Sequence, residues 1–260
     1  MLYYEVSGGG LPVVFLHGYT ENLNLWDDLR LSLSDKYQVL VLDLPGFGKS
    51  PSLPTPFELT DIADVVHKFI TKTLHIDKYV IFGHSLGGYI SLAITEQYSS
   101  AVLALGLINS TCFADTMEKK ENRTKTADFI LKHGTATFLR SFVPNLFTQE
   151  SQVKRKNEIA RVTAMGADLP ESTLCDFMMA MRDRPNRAHI LEKLAHVLFV
   201  GGKEDLHIPL NDMEIQVNLL SNKQHGHIFD NVAHMSMFEA KDELIKAIVN
   251  FLQEVEIKGK

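Results

Sequence analysis

A serine, a carboxylate and a histidine, far apart in this 260-residue chain, have the types and settings needed for nucleophilic acyl transfer. The serine is Ser85, in Gly83-His84-Ser85-Leu86-Gly87, which follows the apolar run Tyr79–Phe82 and precedes a helical pattern reaching Tyr98. A Gly-x-Ser-x-Gly stretch carries chemistry when a buried strand turns through it into a helix, because that corner lifts the hydroxyl off the end of the sheet. The N–H of Leu86 then opens the helix, where it can face a developing negative charge. A neutral hydroxyl is a poor nucleophile, so Ser85 needs a general base and a group to orient that base.

Eleven histidines compete for the base. His234 stands out because Asn231–Glu239 is the loop between the last predicted strand and the last predicted helix, at the edge of the sheet where Ser85 emerges. The orienting acid should come from the same edge. Asp205, in the segment Gly201-Gly202-Lys203-Glu204-Asp205, fits; adjacent Glu204 is its main competitor and Asp43 a weaker one.

The elements that must hold these residues alternate. Strands are predicted at Leu2–Val6, Pro12–Leu16, Gln38–Asp43, Tyr79–Phe82, Val102–Ile108, Val197–Gly201 and His225–Phe229. Helices are predicted over Asn22–Leu33, from Pro56 to about Leu74, from Leu86 to Tyr98, around Leu210–Leu220, and from Met237 to about Val255. The inner strands are continuous apolar runs, as expected for a parallel sheet covered on both faces. That rhythm stops after Asn109. Residues 112–190 read as helices alone, with fragments at 123–133, 135–142, 150–165 and 171–182. Ligands of open α/β sheets bind beyond the carboxyl ends of the strands, so this insertion reads as a lid, 112–190, over a core made of 1–111 and 191–260.

Together these landmarks resemble the α/β-hydrolase superfamily, as a serine esterase-like member with a helical lid. The resemblance spans essentially the whole chain. It rests on His17-Gly18, Asp43–Ser50, Gly83–Gly88, the Gly202–Pro209 segment with Asp205, and His234, in the order Ser, Asp, His. It implies a mostly parallel central sheet of about seven or eight strands with helices on both faces. Only about 11 residues precede the strand that ends at His17, so the family's usual first strand is expected to be missing and seven is favoured. His196 stands where the family often has proline.

In that family the residue after His-Gly supplies a second oxyanion N–H, which here is Tyr19, partnering Leu86. His17, Gly18, His84 and His207 are the remaining substrate-proximal candidates. The implied activity is carboxylic ester hydrolysis on a small or medium acyl substrate, through an acyl-enzyme. The alternatives are a carbon–carbon bond hydrolase or lyase using the same triad, and a ligand sensor that keeps the triad and signals through its lid. Serine at the turn argues against relatives that use aspartate there, such as dehalogenases and epoxide hydrolases.

No cofactor and no metal is called for. Gly48-Lys49-Ser50 fails as a phosphate loop because Asp43 stands where glycine is required. His225 and His227 lack a third ligand at suitable spacing. Arg182, Arg184 and Arg187 read as a solvated helix end, with an anion site for an acidic substrate as the alternative. Phe113, Phe138, Phe142, Phe147, Met178, Met179 and Met181 are core or acyl-pocket candidates. A net charge of −6 argues against nucleic acid and anionic membrane surfaces as partners. Residues 1–10 lack a signal-peptide pattern and no apolar run is long enough to span a bilayer, so no membrane insertion and a cytoplasmic location are expected. Cys112 and Cys175 read as reduced thiols. Oligomeric state is not encoded in any of these features.

Overall fold

In a computed structural model that describes residues 1–258, seven strands form one sheet. They are β1 (Tyr4–Ser7), β2 (Pro12–Leu16), β3 (Gln38–Leu42), β4 (Tyr79–His84), β5 (Val102–Ile108), β6 (Val197–Gly202) and β7 (Gly226–Phe229). Their spatial order is β1-β3-β2-β4-β5-β6-β7. Only β1 runs antiparallel, its Tyr4–Ser7 opposite Leu42–Val39 of β3; the other pairs are parallel. The order reverses around β2 and β4, so the crevice beyond their carboxyl ends is where such a sheet binds ligands.

The central strands are apolar along their length because both faces are covered. Val13–Leu16, Val39–Leu42 and Tyr79–Phe82 have no exposure to solvent. The edge strands β1 and β7 are only half-buried. Phe15 of β2 stacks on Phe82 of β4 with ring centroids 5.0 Å apart. Trp26 completes that layer from the segment after β2, 5.2 Å from Phe15.

Helices α1 (Asp27–Leu33), α2 (Leu59–Lys68) and α3 (Leu86–Gln97) fill the β2–β3, β3–β4 and β4–β5 connections. Glu58 and Asp61 start α2 with reciprocal side chain–backbone hydrogen bonds, a capping box. Its last turn widens to a π form over Phe69–Thr73. The stretch expected as one helix from Asn22 is a 3₁₀ turn, Leu23–Trp26, leading into α1.

Between β5 and β6 the chain is helical throughout: α4 (Met117–His133), α5 (Thr135–Phe142), α6 (Gln149–Lys154), α7 (Lys156–Met165), α8 (Glu171–Arg182) and α9 (Ala188–Lys193). α4 begins six residues before the fragment read from sequence. Its first turns are polar and show no apolar period, and the start is set instead by Thr116, whose hydroxyl accepts from the N–H of Lys119. The fragment 150–165 is two helices, broken at Arg155. After β6 come α10 (Leu210–Leu219), α11 (Ser236–Glu239) and α12 (Lys241–Lys258). The closing helix is divided at Ala240, and Glu239 before the break holds the N–H groups of Ala233 and Thr148 with its two carboxylate oxygens, 2.8 and 2.9 Å. One side chain thus ties the loop bearing His234 to the helical segment. Among the described residues no helix is long and apolar enough to cross a membrane.

Candidate active site

The corner between β4 and α3 is strained at its apex. Ser85 has φ 49° and ψ −113°, a conformation that side chain-bearing residues adopt rarely and at a cost of about 1–3 kcal/mol. Neighbouring hydrogen bonds over-determine it. Its N–H donates to the Ile108 carbonyl (3.0 Å), and its own carbonyl accepts from Gly88 N–H (3.0 Å) and the Ser110 hydroxyl (2.8 Å). A β-carbon at Gly83 would lie 2.3 Å from backbone atoms of Gly87, so only glycine lets strand and helix meet this closely.

His234 and Ser85 line the same cavity, of about 630 Å³, above the carboxyl edge of the sheet. Nδ1 of His234 is 2.7 Å from Oδ2 of Asp205, and both side chains are buried. An ionised carboxylate can only accept, so Nδ1 carries the proton and the lone pair of the neutral ring falls on Nε2, the tautomer a general base requires. Asp205 is fixed on its other side by the N–H groups of His207 (2.8 Å) and Ile208 (3.1 Å), both to Oδ1. Asn109 Nδ2 donates to Oδ2 at 3.2 Å. Burial alone would raise this carboxyl; the charge and hydrogen bond of His234, with His207 behind them, hold it below its ordinary value. Glu204, next in sequence, is exposed. Asp43 spends its carboxylate on the N–H groups of Leu23 and Lys49 (both 2.8 Å), closing the loop after β3.

Asn109 was not a sequence candidate. It ends β5 with φ 45°, and besides contacting Asp205 it donates to the Ala233 carbonyl (2.9 Å) and accepts from the Ser236 hydroxyl. A polar residue closing a strand at this edge was the available signal. The backbone N–H of His234 donates to the Leu146 carbonyl at 2.9 Å, so the helical segment also contacts the histidine loop directly.

Of the four substrate-proximal candidates only His207 lines the cavity. Burial, reinforced by the nearby His234 charge, pushes it down to about 4. His17, Gly18 and His84 are not among the residues lining the cavity. His17 accepts the Leu44 N–H on Nε2 (2.9 Å) and donates from Nδ1 to the Gly18 carbonyl (2.8 Å). His84 contacts Glu21 and the His234 carbonyl. Both rings are spent on holding loops together.

Tyr19 reaches the cavity too. Its hydroxyl donates to the Leu174 carbonyl of α8 (2.9 Å), and its ring packs edge-on against Phe47, Phe138 and Phe142. Leu86, the first residue of α3, has a fully buried side chain and an N–H with no acceptor inside its helix.

Phe138, Phe142, Met178 and Met181 give the cavity an apolar wall; Phe113, Phe147 and Met179 are not part of it. Beside Met178 and Met181 the lining is charged and internally paired. Asp115 is clamped by Arg123 Nε on one oxygen, and Arg184 Nη1 lies 2.8 Å from the other. Arg184 also sits 4.1 Å over the Tyr89 ring. The solvated-end reading of the arginines therefore fails for two of them: Arg184 and Arg187 are buried, the latter on Glu96 at 2.9 Å. His225, set aside as a metal candidate with His227, pairs with Glu254.

A family model for the alpha/beta hydrolase fold matches residues 12–241. The chain is 26% identical over 214 residues to a pimeloyl-[acyl-carrier protein] methyl ester esterase of Nitrosomonas europaea, covering 80% of this chain and 82% of that one. It is 23% identical over 259 residues to a 2-hydroxy-6-oxononadienedioate/2-hydroxy-6-oxononatrienedioate hydrolase of Pseudomonas putida, covering 96% and 90%. A thermophilic esterase structure from Thermogutta terrifontis superposes with a TM-score of 0.89 at 26% identity, over 98% of this chain and 93% of that one. Three other curated relatives are matched over only 28, 63 and 66% of their own lengths.

Proposed function

This chain belongs to the alpha/beta hydrolase fold family, and from that footing we propose that it is a serine hydrolase acting on carboxylic esters with small or medium acyl groups. The observation that carries this reading is the meeting of strained Ser85 and His234 at one cavity, with His234 held in its basic tautomer by Asp205.

In the proposed reaction, Ser85 Oγ attacks the ester carbonyl while His234 Nε2 takes its proton. Asp205 keeps the imidazole oriented and stabilises the imidazolium. The N–H groups of Tyr19 and Leu86 receive the oxyanion, each worth about 3 kcal/mol by comparison with donor deletions elsewhere. His234 then returns the proton to the leaving alcohol, and a water activated by the same nitrogen releases the acid. No metal or cofactor takes part. The apolar wall of Phe138, Phe142, Met178 and Met181 receives the acyl chain, and residues 112–190 act as a lid over a core of 1–111 and 191–260. The unpaired thiols of Cys112 and Cys175 accord with a cytoplasmic location.

The experiment is a p-nitrophenyl ester series from acetyl to octanoyl, with rapid-mixing kinetics. A burst of p-nitrophenol matching the enzyme concentration, followed by slower turnover, is the expected mark of an acyl-enzyme. Negligible turnover across the whole series would overturn the esterase reading. It would shift weight to carbon–carbon bond cleavage, the alternative kept open by the fold's range of chemistries.

A further inference from the structure

We infer that Glu21 and His84 are positioning residues: a buried ion pair beneath the site that fixes the Tyr19, Ser85 and His234 loops relative to one another. This rests on the serine-hydrolase reading above. Both side chains have about 1% exposure, and Glu21 Oε2 lies 2.9 Å from His84 Nδ1. The same carboxylate oxygen accepts the Gly18 N–H at 2.6 Å. On the other side of the ring, His84 Nε2 is 2.9 Å from the backbone carbonyl of His234.

Three catalytic loops therefore converge on one pair. Gly18 precedes the proposed oxyanion donor Tyr19, His84 precedes the proposed nucleophile Ser85, and the carbonyl belongs to the proposed base itself.

The hydrogen-bond inventory sets the charge. The His234 carbonyl can only accept, so His84 Nε2 must carry a proton. Glu21 Oε2 already accepts from Gly18 and faces Nδ1. With Glu21 ionised, two acceptors across one ring call for two ring protons, so the pair is an imidazolium facing a carboxylate. Burial alone would favour the neutral forms of both. The mutual charge and hydrogen bond overcome it, holding His84 above its ordinary value and Glu21 below. Close approach is built into the chain: a β-carbon at Gly18 would lie 2.6 Å from His84 Nδ1 and 2.7 Å from Glu21 Oε2. The His84 and His234 rings are 4.9 Å apart, so displacement of one moves the other.

Glu21→Gln separates geometry from charge. Gly18 N–H and His84 Nδ1 both meet the one oxygen Oε2, so the amide oxygen takes that place and accepts from both. The neutral ring then carries its one proton on Nδ1, and the hydrogen bond from Nε2 to the His234 carbonyl is the one lost. Glu21→Ala loses the other two instead.

The test has two readouts on the full chain. The first is the rate of Ser85 labelling by a fluorophosphonate, measured where circular dichroism shows each variant folded. Glu21→Ala is expected to slow labelling at saturating probe by about 10²-fold, the scale of an ångström-level misplacement, and Glu21→Gln, which keeps the Gly18 contact, to recover it to within about tenfold. The second is ¹⁵N-edited NMR of the histidine rings, with the His84 signals assigned by their loss in His84→Gln. In the wild type both His84 nitrogens should bear protons at neutral pH, and in Glu21→Gln only one. Rates in Glu21→Ala equal to wild type, or no recovery in Glu21→Gln, would refute the positioning role. A singly protonated His84 in the wild type would refute the ion pair, a result obtained even if Glu21→Ala fails to fold. A wild type that never labels would instead refute the serine-nucleophile reading, and the positioning role with it.

Discussion

Asp205→Asn isolates the orientation of the proposed base from the bulk of its neighbour. The amide is nearly isosteric with the carboxylate, but one of its two positions becomes a donor. Its orientation is decided by the backbone N–H groups of His207 and Ile208, both of which point at Oδ1. Turning the NH₂ toward them would sacrifice two hydrogen bonds and bury donors against donors, at about 1–3 kcal/mol each. The amide oxygen therefore stays on that side, and the NH₂ takes the place of Oδ2, facing His234 Nδ1. A donor there requires Nδ1 to be the acceptor, which moves the ring proton to Nε2 and removes the base. Retained geometry with the wrong tautomer has a measured precedent in another serine hydrolase, where the same change costs about 10⁴ in kcat. The same loss is expected here, about 5.4 kcal/mol of transition-state stabilisation, with KM changed little. Steady-state hydrolysis of p-nitrophenyl butyrate measures both constants. Glu204→Gln, at the exposed neighbouring position, should stay within about twofold of wild type. A kcat for Asp205→Asn within about tenfold of wild type would refute the reasoning, because His234 would not depend on this carboxylate for its tautomer.

Further outcomes follow from single features of the site. Ser85→Gly and Ser85→Ala both lack the hydroxyl, but only glycine relaxes the φ of 49°. Strain of about 1–3 kcal/mol, less the 0.5–1 that glycine costs in chain entropy, should leave Ser85→Gly about 1 kcal/mol more stable, or about 2–4 °C higher in Tm. Equal melting would contradict a strained corner. His207, pushed down to about 4 and neutral in the fold, makes stability fall as pH drops from about 6.5 to 4, because the unfolded chain takes up the proton first. That decline is worth up to about 3 kcal/mol in urea titrations and should flatten in His207→Gln; an identical slope would exclude the histidine. Phe142 stacks on Phe138 with centroids 4.9 Å apart on the apolar wall. Phe142→Ala should move the best substrate toward longer acyl chains, and an unchanged chain-length profile would remove that wall from the acyl site.

The legible part of this protein was the part encoded locally. An apolar run, Gly-x-Ser-x-Gly and a helical pattern are contiguous, so the corner at Ser85 could be read directly, and so could the strands buried on both faces. Asp205 could be named over Glu204 only narrowly, since adjacent residues share most of their sequence context. In space the two differ, because Glu204 is exposed and the N–H groups of His207 and Ile208 hold Asp205 inward. Glu21 and His84 are 63 residues apart and Asn109 and Asp205 are 96 apart, so nothing in either neighbourhood announces the contact. The arginines after α8 read as solvated because helix ends usually are. Their partners Asp115 and Glu96 lie far upstream, on the approach to α4 and on α3. The start of α4 was missed for a different reason: its first turns are polar and held by a cap rather than by an apolar face.

The central claim is that Ser85 is the nucleophile, and mass spectrometry after fluorophosphonate treatment tests it most directly. The expected result is one phosphonyl adduct per chain, on the peptide containing Ser85, absent from folded Ser85→Ala and formed far more slowly in His234→Ala. No adduct on the folded wild type, or an adduct that persists in Ser85→Ala, would contradict the account.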